Sequence, residues 1–328
     1  MTTQKNGGEF SAESFWKFFR ESPACKLDLL RKEKVQVLME TESTNSVLMN
    51  LGSNQVPLLD PSGNLTEAGK SLDLNLCASA CQTKGRGRLG RTFVSPDSTG
   101  IYFSLSIVAP GGIHDPGIYT VTSCVAVCRA IEKLYGTKCS IKWVNDIYCG
   151  GKKICGILTE GIVNSQAARI EGAVIGIGIN ILSSSEFSGD LKSKAGGILD
   201  ERANGSGQSA VSLQFNRSQL LAECINQIIL AMSAEGLIPH GESSIDGLEA
   251  TPAIQATRTW PTVLEEYRSR SILMGKTVTV TQVIGSEDSR YSATVTGISD
   301  DYGLLVRLSD GECRTLHSGE VSLHETKL

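Results

Sequence analysis

A short run of glycines and cations constrains the fold of this chain more than any other segment. Residues 84–91 read KGRGRLGR, with four cations and three glycines in eight positions. Apolar strand patterns precede it (LDLNLCASA) and follow it (IYFSLSIVA). Glycine lets the backbone approach a ligand closely, and arginine presents a planar fork to oxyanions, so we expect an anion-binding loop at a sheet rim. The alternatives are a solvated basic turn and an RGG-like nucleic-acid segment, although such segments are usually repeated and disordered.

The segments around this loop predict an α+β fold, with a mixed β-sheet and flanking helices. A helix is expected to begin near Ser43 or Thr44, and others to cover residues 117–136 and 215–236. Gly136 is a candidate for the glycine that ends its helix, and Gly150-Gly151 for a hairpin turn. The remaining strands of this sheet are indicated by apolar runs at VQVLMET and ARIEGAVIGIGINI, and the segment CSIKWVNDIYCGGKKICGILTEGIV is expected to form a strand, a turn and a second strand.

Changes in pattern along the chain predict three parts. Residues 1–34 are an extension whose aromatic helical face we expect to pack on the main domain. Residues 35–270 form the main domain, and 271–328 form a small SH3-like β-barrel, since five short strands with turn signals follow one another there. Within the main domain we expect a polar surface insertion at 52–71, a mobile Ser/Gly-rich loop at 183–210 and a low-pattern segment at 237–260.

Composition excludes several classes of protein. The chain has 328 residues, 40% of them hydrophobic, and a formal net charge of −4, which argues against general coating of nucleic acid. No apolar run approaches the ~18 residues that span a bilayer, and the first residues resemble neither a signal nor a transit peptide. The ten cysteines are scattered without a CxxC pair. We therefore expect reduced thiols, no structural zinc and a cytoplasmic protein.

Three further motifs are weak when each is taken alone. KWVND, at 142–146, places an aromatic, an amide and a carboxylate near a strand end, but it is also compatible with a core tryptophan and a turn pair. GKKICGILTE, at 151–160, is compatible with a simple hairpin that carries solvated lysines. GIGIN, at 176–180, is weak evidence for a nucleotide site. Their order along the chain makes them informative.

The series STN, Q-x-x-GRGRxGR, KWxND, K-x-x-GIL-x-E and GxGxN resembles the biotin protein ligase (holocarboxylase synthetase) family over residues 35–328. The resemblance implies a catalytic domain of the class II synthetase-like type and a C-terminal SH3-like barrel. It implies ATP-dependent activation of biotin to biotinyl-5′-AMP, with Mg²⁺, and transfer of biotin to a lysine of a biotin carboxyl carrier domain. Residues 1–34 are too short for a winged-helix DNA-binding domain, so DNA is not an expected partner. A membrane is not expected either, since no apolar run is long enough to span one.

The resemblance also assigns the site residues. Charge neutralisation and proton transfer fall to Arg86, Arg88, Lys153 and Asp146. The biotin-binding residues are Ser43, Thr44, Asn45, Gln82, Gly85, Arg86, Gly87, Arg88, Lys153 and Gly156. The nucleotide-binding residues are Arg88, Arg91, Phe93, Lys142, Trp143, Asn145, Asp146 and Asn180, and no metal ligands are assigned.

Two positions depart from the family pattern. Phe93 stands where the family usually has tryptophan; phenylalanine can stack on an adenine ring but lacks the indole N–H donor. Val144 stands where the family usually has proline, so the restriction on the preceding residue is lost. Neither change removes a charge, and we expect them to affect the tightness of binding more than the chemistry.

Three other functions are compatible with parts of the sequence. Lipoate–protein ligase uses related chemistry, but its glycine-rich motif differs from GRGRLGR. A non-enzymatic nucleic-acid binder would use the basic loop and the barrel, against an acidic net charge. A biotin-dependent repressor would need an N-terminal DNA-binding domain that the extension is too short to supply.

Overall fold

The computed structural model describes residues 10–97, 99–183, 187–200, 215–238, 261–281 and 290–323. In these residues the helices are α1 (Ala12–Phe19), α2 (Thr44–Ser53), α3 (Glu67–Leu72), α4 (Gly117–Tyr135), α5 (Asp190–Lys194), α6 (Arg217–Ala234) and α7 (Val263–Ser269). The strands are β1 (Val35–Leu38), β2 (Leu76–Ser79), β3 (Gly100–Val108), β4 (Ser140–Lys142), β5 (Asp146–Cys149), β6 (Lys152–Asn164), β7 (Arg169–Asn180), β8 (Thr277–Thr281), β9 (Arg290–Ile298), β10 (Leu304–Arg307), β11 (Cys313–Leu316) and β12 (Glu320–Leu323).

The larger sheet has the strand order β1-β2-β3-β7-β6-β5-β4. β1 pairs with β2 in parallel, and every other neighbouring pair is antiparallel. This confirms the predicted mixed sheet. β3 is buried along its whole length, which agrees with its continuous run of apolar residues.

Helices cover both faces of this sheet. α4 and α6 bury long apolar stretches in the main core, and α1 packs on α6 through Phe15, Trp16 and Phe19. A smaller cluster that includes Leu48 and Leu72 lies under α2 and α3. α2 begins as predicted, because the Ser43 hydroxyl accepts a hydrogen bond from the Ser46 backbone N–H at 3.4 Å.

The C-terminal strands form the predicted small antiparallel unit, with the order β11-β10-β9-β8-β12. All five expected strands are present at the positions that the turn signals bracket. Alternate residues of β8 and β9 point inward, among them Val278, Val280 and Val295. The alternation is typical of a strand with one buried and one solvated face.

Two of the loop predictions were wrong in part. The 52–71 segment contributes to α3 and buries Leu58 and Leu59, since their apolar side chains fill the smaller core. Within 183–210, the described residues include α5 and the fully buried Ile198 and Leu199. The rest of that segment, and 239–260 of the last one, lie outside the described residues.

None of the ten cysteines forms a disulfide bond, and seven of them are buried. This agrees with the prediction that they pack as small apolar side chains. In the part of the chain that the structure describes, no helix combines the length and the apolar character needed to cross a bilayer.

Candidate active site

Residues 85–93, the glycine–arginine hairpin, form a closed turn beside the sheet. The backbone N–H of Gly87 donates to the Arg91 carbonyl at 2.7 Å, and that of Phe93 donates to the Gly85 carbonyl at 2.9 Å. The tip adopts positive φ at Leu89 (57°) and Gly90 (71°). A Cβ on Gly85 would lie 2.3 Å from the Phe93 carbonyl oxygen, so this closure requires glycine there.

One row of strand residues forms the floor beneath the hairpin. Tyr102, Gly178, Gly156, Asp146 and Lys142 pair in succession across five neighbouring strands, β3, β7, β6, β5 and β4. The second and third members of the row are glycines, which leave the sheet surface without side chains at that point. The register therefore creates a groove floor with charged residues at one end.

The aromatic ring of Phe93 lies on the bare part of this floor. A Cβ on Gly178 would fall 2.5 Å from its Cε1 atom, and one on Gly156 would fall 3.1 Å from its Cε2 atom. The ring also meets Tyr102 edge to face, with centroids 6.3 Å apart. Phe93 is only half-buried, so part of its ring surface is accessible to a ligand.

Four cations converge at the charged end of the groove: Arg88, Arg91, Lys142 and Lys153. Arg88 Nη1 donates to Asn145 Oδ1 at 3.2 Å. The next residue, Asp146, forms an ion pair with Lys153, whose Nζ lies 2.6 Å from Oδ1. Arg91 is paired with Glu320 of the barrel.

The electrostatics of this end reflect both burial and pairing. Burial lowers the pKa of Arg88, and the charges of Asp146 and Glu320 oppose that shift. The pKa of Lys142 is lowered for the same reason, against the same two carboxylates. The hydrogen bond from Arg91 lowers the pKa of Glu320. With Lys153 and Arg91, the cluster holds four cations against two carboxylates, and this excess suits an anionic ligand.

The other end of the groove is a network of neutral polar groups. The Thr44 backbone N–H donates to Gln82 Oε1 at 2.9 Å. Ser104 on β3 donates to Asn45 Oδ1 at 2.6 Å and lies 2.7 Å from the Thr44 hydroxyl. A Cβ on Gly176 would lie only 2.0 Å from Asn45 Oδ1, so the glycine makes room for this amide.

Glu160 joins this polar end to the hairpin. Its Oε2 atom accepts a hydrogen bond from Asn45 Nδ2 at 2.7 Å and one from Arg86 Nη2 at 2.7 Å. Gln82 makes a second connection, because its Nε2 donates to Ser95 just after the hairpin, at 3.1 Å. The hairpin therefore lies against both ends of the groove.

The structure brings most of the predicted site residues into this groove. The polar end holds Thr44, Asn45 and Gln82, and the charged end holds Arg88, Arg91, Lys142, Asn145, Asp146 and Lys153, with Gly156 and Phe93 between them. Gly85 and Gly87 shape the hairpin, and the Ser43 hydroxyl caps α2.

Two predicted residues are placed differently from the others. Trp143 is buried and its indole N–H donates to the Tyr302 carbonyl of the barrel at 3.0 Å, which favours the alternative that it is a core residue. Asn180 ends β7 on the same face as Gly178 and is buried. Its Oδ1 atom is a buried acceptor with no hydrogen-bond partner in the described part of the chain.

Several residues in this constellation were not predicted. Ser104 lies in a continuous apolar strand and gives no local signal. Glu160 is the last residue of the K-x-x-GIL-x-E motif, so a signal for it existed. Gly319 accepts a hydrogen bond from Arg88 Nη2 at 3.0 Å, and with Glu320 it comes from the barrel, which no local pattern connects to the hairpin. Among the described residues, no three His, Cys, Asp or Glu side chains are grouped to hold a metal ion.

Two sequence models of known protein families match this chain. Residues 69–180 match the sequence model of the Biotin/lipoate A/B protein ligase family, and residues 273–324 match the Biotin protein ligase C terminal domain. The fold agrees with a solved biotin protein ligase from Aquifex aeolicus in complex with biotin and ATP: the TM-score is 0.58 at 22% identity, over 89% of this chain and 99% of that one. The chain therefore contains a Biotin/lipoate A/B protein ligase domain followed by a Biotin protein ligase C terminal domain.

Curated relatives cover different parts of the chain. The Bifunctional ligase/repressor BirA of Bacillus spizizenii is 35% identical over 151 residues, 46% of this chain and 41% of that protein. The Biotin--[acetyl-CoA-carboxylase] ligase of Mycobacterium tuberculosis is 24% identical over 295 residues, 88% of each chain. This chain therefore spans about two-fifths of the length of the Bacillus BirA relatives, and most of the mycobacterial protein.

Proposed function

We propose that this protein is a biotin–protein ligase. It uses ATP to convert biotin to biotinyl-5′-AMP and transfers the biotinyl group to a lysine of a biotin carboxyl carrier domain. One observation carries the proposal: a hairpin with three arginines closes over a glycine floor, between a cationic cluster and a neutral polar network. Such a groove matches a ligand with an anionic end, an apolar stem and a polar uncharged head.

The polar end suits the ureido head of biotin. A buried ureido group needs donors and acceptors, because each unpaired polar group would cost roughly 1–3 kcal/mol. Thr44, Asn45 and Gln82 supply amide and hydroxyl groups there, together with Ser104. The floor near Gly156, beside the Phe93 ring that lies on it, is our candidate position for the apolar stem, and the charged end would then receive the carboxylate.

The first step joins two anions, the carboxylate of biotin and the α-phosphate of ATP. A carboxylate oxygen attacks the α-phosphorus, and pyrophosphate leaves. Arg88 and Lys153, both at the charged end of the groove, are our candidates to neutralise both groups and the charge that develops between them, an effect usually worth several orders of magnitude in rate. Mg²⁺ enters with ATP as part of the substrate, since it prefers phosphate oxygens and one or two carboxylates.

The nucleotide has candidate contacts on the same side. Phe93 presents part of its ring for stacking on adenine, and Asn180 has an unused acceptor. Lys142 and Arg91 add positive charge for the phosphates. Arg86 is instead bound at the polar end, which supports a role on the biotin side over charge neutralisation.

The second step is attack of the acceptor lysine on the biotinyl carbonyl, with AMP as the leaving group. An unperturbed lysine has a pKa of about 10.4, so its ammonium proton has to be removed. Asp146, which is paired with Lys153 within the cationic cluster, is our candidate for the base. Release of Asp146 from Lys153, when that lysine turns to the substrate anions, frees the carboxylate for this role.

The test has two parts. Purified protein, ATP and Mg²⁺ should catalyse exchange of labelled pyrophosphate into ATP only when biotin is present, and lipoate in place of biotin should give no exchange. Incubation with a carrier domain should then add one biotinyl group to it, seen by mass measurement. Exchange with lipoate alone would identify a lipoate ligase, and exchange with neither acid would refute the proposal.

A further inference from the structure

Glu160 connects three elements of the groove through one carboxylate oxygen. Its Oε2 atom binds Asn45 of α2 and Arg86 of the hairpin, both at 2.7 Å, from a position on β6. The side chain is a quarter exposed, and that of Arg86 is two-fifths exposed. The pair is therefore shielded on one side but remains in reach of water.

The strand register shows where this contact lies along the groove. Gly156, Leu158 and Glu160 alternate along β6 and so share one face of the sheet. A strand rises about 3.3 Å per residue, so the backbones of Gly156 and Glu160 are about 13 Å apart. The Lys153 side chain contacts the Gly156 end, and Asn45 marks the Glu160 end. Arg86 is thus held at the polar end, away from the cationic cluster.

We propose that Glu160 is a positioning residue that latches the glycine–arginine hairpin to β6 over the head-binding end of the groove. This rests on the proposed function, which assigns that end to the ureido group. The Glu160 carboxylate neutralises the charge of Arg86. Arg86 therefore helps to close the biotin pocket, while Arg88 and Lys153 act in the reaction. The same carboxylate also fixes the amide of Asn45, because Nδ2 is engaged by Glu160 and Oδ1 is left to face Ser104.

The substitution Glu160→Gln tests the charge with little change in shape. Glutamine retains an oxygen that can accept from Asn45, but it loses the ion pair with Arg86. A partly exposed ion pair contributes modestly, so we expect biotin binding to weaken by a factor of about five to ten. The matched control is Glu42→Gln, which removes an exposed ion pair of 2.7 Å between Glu42 and Lys84. Lys84 directly precedes the hairpin.

Two measurements on the full chain decide the proposal. Calorimetry without ATP gives biotin affinity for the wild type, Glu160→Gln, Arg86→Gln and the double variant. Each single variant should bind biotin more weakly than the wild type. The double variant should bind biotin no more weakly than the weaker-binding of the two single variants. For Glu160→Gln, the maximal rate of pyrophosphate exchange at saturating biotin should stay within about threefold of wild type, while Glu42→Gln behaves as wild type throughout.

Hydrogen exchange of residues 85–93 in the ligand-free protein tests the latch without any substrate. The amides should exchange faster in Glu160→Gln than in the wild type or Glu42→Gln, with circular dichroism unchanged. Unaltered exchange together with unaltered biotin affinity would overturn the proposal. The proposal would also be overturned if Arg86→Gln lost a hundredfold in the maximal rate of pyrophosphate exchange while Glu160→Gln bound biotin and reacted as the wild type does. If the wild type failed to bind biotin, the proposed function would fall, and exchange would still decide whether Glu160 secures the hairpin.

Discussion

Arg88 in the hairpin donates to the carbonyl oxygen of Gly319 in the barrel at 3.0 Å, although 231 residues separate them in the chain. The same guanidinium donates to Asn145 at 3.2 Å. One side chain therefore fixes the hairpin to the turn before β5 and to the barrel at once. The cationic end of the groove is complete only when both domains are in place.

Replacement of Arg88 by glutamine should lower the maximal rate of biotin-dependent pyrophosphate exchange by about 100-fold, because it removes a fixed cation aimed at developing negative charge. Lys84→Gln is the control, since Lys84 lies in the same run and its side chain is 70% exposed. Steady-state exchange at saturating substrates measures both. Equal rates for the two variants would exclude Arg88 from the chemistry.

Tyr267→Phe should weaken ATP binding while leaving biotin binding intact. The buried Tyr267 hydroxyl donates to the Val144 carbonyl at 2.9 Å, and so holds the turn that carries Asn145. Loss of one such hydrogen bond costs about 1 kcal/mol of stability, and we expect a several-fold rise in KM for ATP.

The control for this variant is Tyr302→Phe. Tyr302 packs edge to face with Tyr267, at a centroid distance of 6.4 Å, but it holds Trp143 through its backbone carbonyl. Its hydroxyl can therefore be removed without loss of that contact. If both variants raised KM for ATP equally, the Tyr267–Val144 hydrogen bond would not be the cause.

Asp146→Asn should separate the two chemical steps. If Asp146 accepts the proton of the acceptor lysine, transfer from preformed biotinyl-AMP should slow by a factor of about 100. Single-turnover mass measurement of the carrier domain over a range of pH checks this. A normal rate of transfer across that range would show that Asp146 is not the base.

The carboxyl of Asp73 gives a pH dependence of stability unrelated to the site. Burial raises its pKa to about 6, against the hydrogen bond from Val108 N–H and the charge of Lys34. The folded protein therefore holds this proton more tightly than the unfolded chain, and stability from this group is lost as pH rises from about 4 through 6.

Asp73→Asn should remove this part of the pH dependence, since asparagine keeps an oxygen for Val108. Relative to the variant, the wild type should lose up to about 3 kcal/mol of unfolding free energy between pH 4 and 7. Urea unfolding at several pH values gives the comparison. Parallel curves for the two proteins would contradict the raised pKa.

The sequence by itself determined the elements and the chemistry of the hairpin. Alternating and helical apolar patterns are local, so the mixed sheet, α4, α6 and all five barrel strands could be predicted from them. Positive φ at Gly90 and the close approach at Gly85 are likewise properties of single residues. The candidate site residues were predicted from the order of the motifs, because each motif places particular side chains at the end of a strand.

Only the tertiary structure decided how the charges are divided. Arg86 and Arg88 are two residues apart, and the sequence assigns them the same role. In the structure, Arg86 binds Glu160 at the polar end, whereas Arg88 binds Asn145 at the charged end. It also gives no sign that Gly319 and Glu320 complete the site. Register across strands and docking of the barrel set these contacts, and both depend on residues that are far apart in the chain.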